Sequence, residues 1–103
     1  FFTLKKYNEA LIYINKAILL DNSNEFAYDL RAEINFYLNN YKECIADSKK
    51  AIKLNPNCSY SYLTMGRAQY RLGFKQAACD SWSSAGNLGE IEAYEFISKY
   101  CTK

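Results

Sequence analysis

Tyr41-Lys42-Glu43-Cys44-Ile45-Ala46-Asp47, continuing through Lys50-Ala51-Ile52-Lys53-Leu54 to Asn55-Pro56-Asn57, is the stretch on which the reading of this chain turns. It is a helix-length segment closed by a strong stop, because proline cannot continue a helix and biases the residue before it toward extended geometry. The same segment recurs 34 residues away in both directions. Ala10, Cys44 and Ala78 fall in one slot, and Ala17, Ala51 and Ala85 in another. Leu4, Leu38 and Leu72 share a third, and Leu20, Leu54 and Leu88 a fourth. Tyr7 recurs as Tyr41, and Tyr28 as Tyr62. A fixed period of this length marks stacked units, none of which buries a core alone.

The period within each unit is helical. Ala10, Leu11, Ile14, Ala17 and Ile18 recur at i, i+1, i+4, i+7 and i+8, one face of an α-helix. That segment is expected over Asn8–Leu20. Asp21-Asn22-Ser23-Asn24 reads as a turn, with Asn24 placed to cap the next helix. Further helices are expected over Glu25–Leu38, Tyr41–Leu54, Ser59–Leu72, Phe74–Leu88 and Glu90–Cys101. Asn39-Asn40, Gly73 and Gly89 supply the breaks, since asparagine and glycine accept the left-handed conformation at a helix end. Short connections make neighbouring helices antiparallel. The fold expected is all-α, without a sheet. By register, Phe1, Phe2, Thr3 and Leu4 match Asn35, Phe36, Tyr37 and Leu38, the last turn of a helix that precedes the first full one.

These slots resemble the tetratricopeptide repeat, a 34-residue helix–turn–helix with the pattern W-x2-L-G-x2-Y…A-x3-F…P. Its tryptophan slot holds Tyr28 and Tyr62, its leucine slot Arg31 and Met65, and its glycine slot Ala32 and Gly66. The tyrosine slot holds Asn35 and Gln69, a departure in both copies. The alanine slot holds Ala10, Cys44 and Ala78; the phenylalanine slot Ile14, Ser48 and Trp82; the proline slot Asn22, Pro56 and Glu90. The resemblance implies an α-solenoid, a right-handed superhelix of antiparallel hairpins. It divides the chain into a partial repeat over residues 1–24, repeats over 25–58 and 59–89, and a capping helix over 90–103.

Chemistry is sparse. Histidine is absent, so no Ser-His or Cys-His nucleophile can be assembled. No phosphate-binding glycine loop occurs. Asp29 and Glu33 share a helix face, which reads as a solvated acidic patch on a groove wall rather than a catalytic dyad. No catalytic residue, metal or cofactor is expected. The net charge of +2, from 13 basic and 11 acidic residues, gives no case for nucleic acid or a membrane surface as the main partner. Cys44, Cys58, Cys79 and Cys101 form no CxxC, so a structural zinc is not expected. Two disulfides in three connectivities are open to four cysteines. Cys44 stands in an alanine slot and reads as a small buried residue, and the reading favours four reduced thiols and with them a cytoplasmic setting. Cys79 and Cys101 lie ten residues before and twelve after the Gly89 joint, at about the same height on antiparallel helices. They are expected close together, as two thiols in loose contact or, in an oxidising compartment, as a disulfide.

The resemblance also implies where a partner would bind. Phe26, Asp29, Glu33, Phe36 and Tyr37 on one helix, and Tyr60, Leu63, Arg67, Tyr70 and Arg71 on another, fall toward the face that lines the groove in the family. The expectation is a non-catalytic scaffold holding a peptide or partner segment of mixed charge with an apolar anchor. The alternative is a module of a larger repeat protein that mediates self-association or intramolecular packing. Some family members clamp a C-terminal carboxylate with Lys and Asn, and the residues on these helices do not favour that clamp. Leu11, Ile14 and Ile18 are expected to form an unfinished N-terminal edge, a candidate site of self-association.

Overall fold

The computed structural model describes residues 4–101. Six helices follow one another: α1 (Leu4–Leu20), α2 (Glu25–Tyr37), α3 (Tyr41–Leu54), α4 (Ser59–Arg71), α5 (Lys75–Asn87) and α6 (Glu92–Tyr100). No strand occurs among the described residues. Each helix packs on its successor, and α2 also touches α4. The fold is the all-α helical-repeat architecture expected.

The breaks form where the side chains permit them. Asn24 accepts the α2 backbone N–H of Phe26 at 3.0 Å, satisfying one of the donors a helix start leaves open. After α2, Asn39 takes φ 64°, and the N–H of Asn40 returns to the Asn35 carbonyl at 2.8 Å. One repeat step later Gly73 takes φ 89° and Phe74 N–H returns to the Gln69 carbonyl at 2.9 Å. This is the same 6→1 closure built from different residues, and it recurs after α5, where Gly89 takes φ 106° and Glu90 N–H returns to the Ala85 carbonyl at 2.9 Å.

The corresponding position in the first unit is Lys5, and here the sequence expectation fails. Lysine has no preference for the left-handed conformation, so the helix does not break there. α1 instead runs unbroken from Leu4, not from Asn8. Leu4 therefore belongs to α1 rather than to a preceding helix, and Phe1, Phe2 and Thr3 lie outside the described residues. The sixth helix also begins two residues later than expected, at Glu92.

Small residues set how closely the helices approach. Ala32, Cys44, Ala51, Ala68, Ala78, Ala85 and Ala93 are fully buried. A Cβ on Gly66 would sit 2.5 Å from Nε1 of Trp82, so only glycine admits the indole between α4 and α5. Trp82 in turn stacks on Phe96 of α6, ring centroids 5.2 Å apart. The two departures from the tyrosine slot are both hydrogen-bonded across a hairpin. Asn35 donates to Asp47 at 3.2 Å, and Gln69 accepts from Ser81 at 2.6 Å. Asp47 also takes both arms of Arg31, at 2.9 and 2.7 Å.

Cys79 and Cys101 are joined by a disulfide, with Cα atoms 5.9 Å apart. Their proximity is as expected; loose contact between reduced thiols is not, and that expectation is corrected. Antiparallel α5 and α6 bring the two Cα atoms inside the span a disulfide bridges. Cys44 and Cys58 remain free.

Candidate functional site

α2 and α4 are the first helices of successive hairpins, and their neighbouring faces carry the ten residues singled out for a groove. At the end of this face farthest from the hairpin turns, Phe26 is 71% exposed. Asp29 accepts a hydrogen bond from Ser61 Oγ at 2.7 Å, and Glu33 one from the Tyr60 hydroxyl at 2.8 Å. These two carboxylates of α2 are thus held by α4. Tyr37 is exposed and stacks on Tyr7 of α1, centroids 5.2 Å apart and 12° from parallel.

Burial raises the Asp29 carboxyl above its ordinary value, and the charges of Glu33 and Glu90 add to it, against the lowering effect of the Ser61 hydrogen bond. Between the unfolded value and the raised folded one, the folded chain binds the extra proton. Stability therefore falls as pH rises through that window. Burial and the bond to Glu33 likewise hold the Tyr60 hydroxyl protonated, as its donor role requires.

Further along α4 the groove turns basic and aromatic. The Arg67 guanidinium lies 4.4 Å from the centroid of Phe36 and 5.9 Å from that of Phe96. Arg71 lies 5.5 Å from Phe36 and donates to the Tyr41 hydroxyl at 3.0 Å. Arg67, Arg71, Phe36, Tyr70, Phe96 and Tyr100 border a small depression of about 130 Å³, with Trp82 beneath.

Two of the ten residues do not contribute exposed area. Leu63 is 1% exposed and packs with Ala78, Trp82, Ala85 and Ala93; it is core. Phe36 is buried too, a floor beneath two guanidinium groups rather than an open anchor. An i, i+3, i+7 helix face reaches both groove and core at its edges, so spacing alone does not separate them. Phe96 and Tyr100, which complete the basic depression, are not among the residues that repeat spacing assigns to the groove. Their signal is the apolar stripe of the last helix, which reads as cap packing. Among the described residues no cluster of three metal-binding side chains occurs, and no helix is long and apolar enough to cross a membrane.

A second concavity lies at the other edge. α1 and α2 enclose a cleft of about 710 Å³ lined by Tyr7, Ala10, Tyr13, Ile14, Ala17, Leu30, Glu33, Ile34 and Tyr37. Ile18, expected at an open edge, is buried against Tyr28 and Ala51, and Leu11 and Ile14 are half-buried. Large apolar side chains open to solvent on α1 include Ile12, Tyr13, Leu19 and Leu20.

A model of the tetratricopeptide repeat matches residues 1–24 and 27–58, more than half of the chain. The chain belongs to the tetratricopeptide repeat family. Among relatives, it is 39% identical over 77 residues to the STIP1 homolog of Dictyostelium discoideum, covering 74% of this chain and 14% of that protein. It thus spans a small part of the curated relatives it matches. Among solved structures, the second tetratricopeptide domain of human RPAP3 in complex with the HSP70 peptide SGPTIEEVD superposes with a TM-score of 0.88 at 26% identity. That match covers 96% of this chain and 84% of the other. The first such domain of Spaghetti (RPAP3), bound to the HSP90 peptide SRMEEVD, gives a TM-score of 0.89 at 24% identity, covering 94% of this chain and 79% of the other.

Proposed function

We propose that this tetratricopeptide chain is a non-catalytic interaction module that holds an extended peptide or partner segment along the shared face of α2 and α4. The observation that carries the reading is the division of that face. Asp29 and Glu33 stand at one end, fixed by Ser61 and Tyr60. Arg67 and Arg71 stand at the other, over an aromatic floor. Exposed Phe26 and Tyr37 flank it. A carboxylate pair repels an acidic ligand, whereas a segment with a basic group toward α2, an acidic group toward Arg67 and Arg71, and an apolar anchor between them meets complementary charge throughout. The domains of RPAP3 bound to HSP70 and HSP90 peptides support peptide binding as the mode. Their peptides, rich in glutamate, do not match the acidic end of this face. The division into a partial repeat (1–24), two repeats (25–58, 59–89) and a cap (90–103) is part of the same reading.

The test is a selection from a random peptide library against the folded chain, followed by titration of the winners into variants. Phe26→Ala and Arg71→Glu alter exposed side chains and leave the core intact. Each is expected to weaken binding by about 1–3 kcal/mol, as anchor residues do. Peptides that bind both variants as tightly as the parent chain would place the interface elsewhere. Phe36→Ala is unsuitable as a probe. Its side chain is buried, so the variant loses about 3–5 kcal/mol of folding stability instead. A second reading, association through the α1 edge, is favoured by the exposure of Ile12, Tyr13, Leu19 and Leu20.

A further inference from the structure

The basic end of the α2–α4 face is not built by those two helices alone. Arg67, Tyr70 and Arg71 of α4 and Phe36 of α2 supply part of its wall, and Phe96 and Tyr100 of α6 supply the rest. The Tyr100 ring lies 4.5 Å from that of Tyr70 and 5.9 Å from that of Trp82. The Arg67 guanidinium lies 5.9 Å from the ring of Phe96. Among the described residues no carboxylate pairs with Arg67 or Arg71, and the hydrogen bond of Arg71 goes to a neutral hydroxyl. Their charge is open to a ligand. The rings of α6 exclude water from one side of it, which strengthens its attraction for an anion.

The helix that carries this half of the wall is the one least able to stand alone. α6 has nine residues, fewer than an isolated helix needs, and Ala93 is its buried residue. Its covalent tie stands directly beside the wall. Cys101 follows Tyr100 in the chain, and Cys79 precedes Trp82 by three residues, one turn away on α5. Both cysteines are half-buried, which leaves the bond within reach of a small dithiol.

We propose that the Cys79–Cys101 bond is a redox gate on the basic end of the groove. With the bond closed, α6 holds Phe96 and Tyr100 in place and the chain retains an acidic segment against Arg67 and Arg71. With the bond reduced, α6 loosens, the two rings leave the wall and the segment is released. The inference rests on the reading of the α2–α4 face as a peptide groove and names how that groove is regulated. In reduction, one thiolate of a dithiol attacks one sulfur of the bond, and the other sulfur leaves as a thiolate. The dithiol's second thiolate then displaces the remaining cysteine from the mixed disulfide, and both cysteines take up a proton. Two electrons and two protons pass from the dithiol, which closes to its own disulfide. The coupling is reciprocal. A segment held about tenfold more tightly by the bonded chain lowers the reduction potential of the bond by about 30 mV at saturation.

The probe is the tightest peptide selected from the random library against the bonded chain, labelled with fluorescein and titrated by anisotropy before and after reduction with dithiothreitol. Cys44 and Cys58 are already thiols, so the reductant alters this pair alone. Reduction should weaken binding at least tenfold, while the amide shifts of α2 and α3 stay where they were. The double variant Cys79→Ser, Cys101→Ser should bind at the weak level with or without reductant. Phe26→Ala, at the other end of the face, should weaken binding in both states and leave their ratio unchanged. In a dithiothreitol redox buffer, saturating peptide should shift the potential of the bond to more negative values. Equal affinity in both states, for a peptide whose shifts map to the α2–α4 face, overturns the gate and leaves the groove reading standing. Tighter binding after reduction overturns it too, since α6 would then be a cover over the site. So does a reduction that unfolds α2 and α3, because affinity would then follow global stability. A library that yields no peptide for this face in either state overturns the gate and the groove reading together.

Discussion

Arg31 stands where the repeat pattern asks for leucine, and Asn35 where it asks for tyrosine. Each alone is a buried polar liability. Together they are resolved by Asp47, which accepts from both. The next unit repeats the device with neutral groups, Gln69 and Ser81, at the same two slots. The departures were legible in the sequence; the compensation was not. Its partners lie 12 and 16 residues apart on different helices, and neither slot has motif chemistry of its own. Only the recurrence of polar residues at both slots hints at it. Removing the shared acceptor is expected to cost most, because it strands a guanidinium and an amide at once. The Arg31 side chain is 24% exposed and the Asp47 side chain 9%, so solvent softens the penalty. Asp47→Ala should destabilise the chain by about 3 kcal/mol, the low end for breaking a buried pair. Urea unfolding measures it. A loss below about 1 kcal/mol would show that water replaces the carboxylate without strain.

α6 is nine residues long, too short to persist without tertiary support. It is held by Ala93, buried among Leu63, Trp82 and Ala85, by the stacking of Phe96 on Trp82, and by Cys101 bonded to Cys79. The helix, its direction and the height match of the two cysteines could all be read from the position of Gly89. The bond could not, because bond formation depends on a redox environment that spacing does not encode. A cross-link separated by 22 residues limits the unfolded chain by about 3 kcal/mol in the loop-entropy account. Thiol titration distinguishes the states. The unfolded, unreduced chain should release two thiols, those of Cys44 and Cys58. In the folded chain only half-buried Cys58 should react promptly. Cys44 is buried and its thiol pKa is pushed up to about 12, so almost no thiolate is present at neutral pH. Four thiols in the unfolded chain would remove the bond from the account.

The helices stack in chain order, so each is stabilised mainly by its neighbours, and stability should vary along the array. α3 and α4 are covered on both sides. α6, the last helix, packs on α5 and α4 and is cross-linked to α5. α1 packs mainly on α2, reaches α3 only through Ile18, has no cross-link, and leaves Ala17 open in a slot that is sealed in both later units. The repeat made the order of elements legible from residue 4 onward, because the 34-residue step fixes which slots must be covered. It did not show that α1 would continue through Lys5 as one helix, since a break depends on the residue at that one position rather than on the period. Hydrogen exchange tests the gradient directly, because protection reports the free energy of local opening. The amides of α1 should exchange fastest among the helices, those of α3 and α4 slowest, and those of α6 should accelerate toward the α1 rate once the disulfide is reduced. Protection in α1 equal to that in α4 would mean that α1 is sealed by contacts beyond those with α2 and α3, and the open-edge account of this molecule would fall.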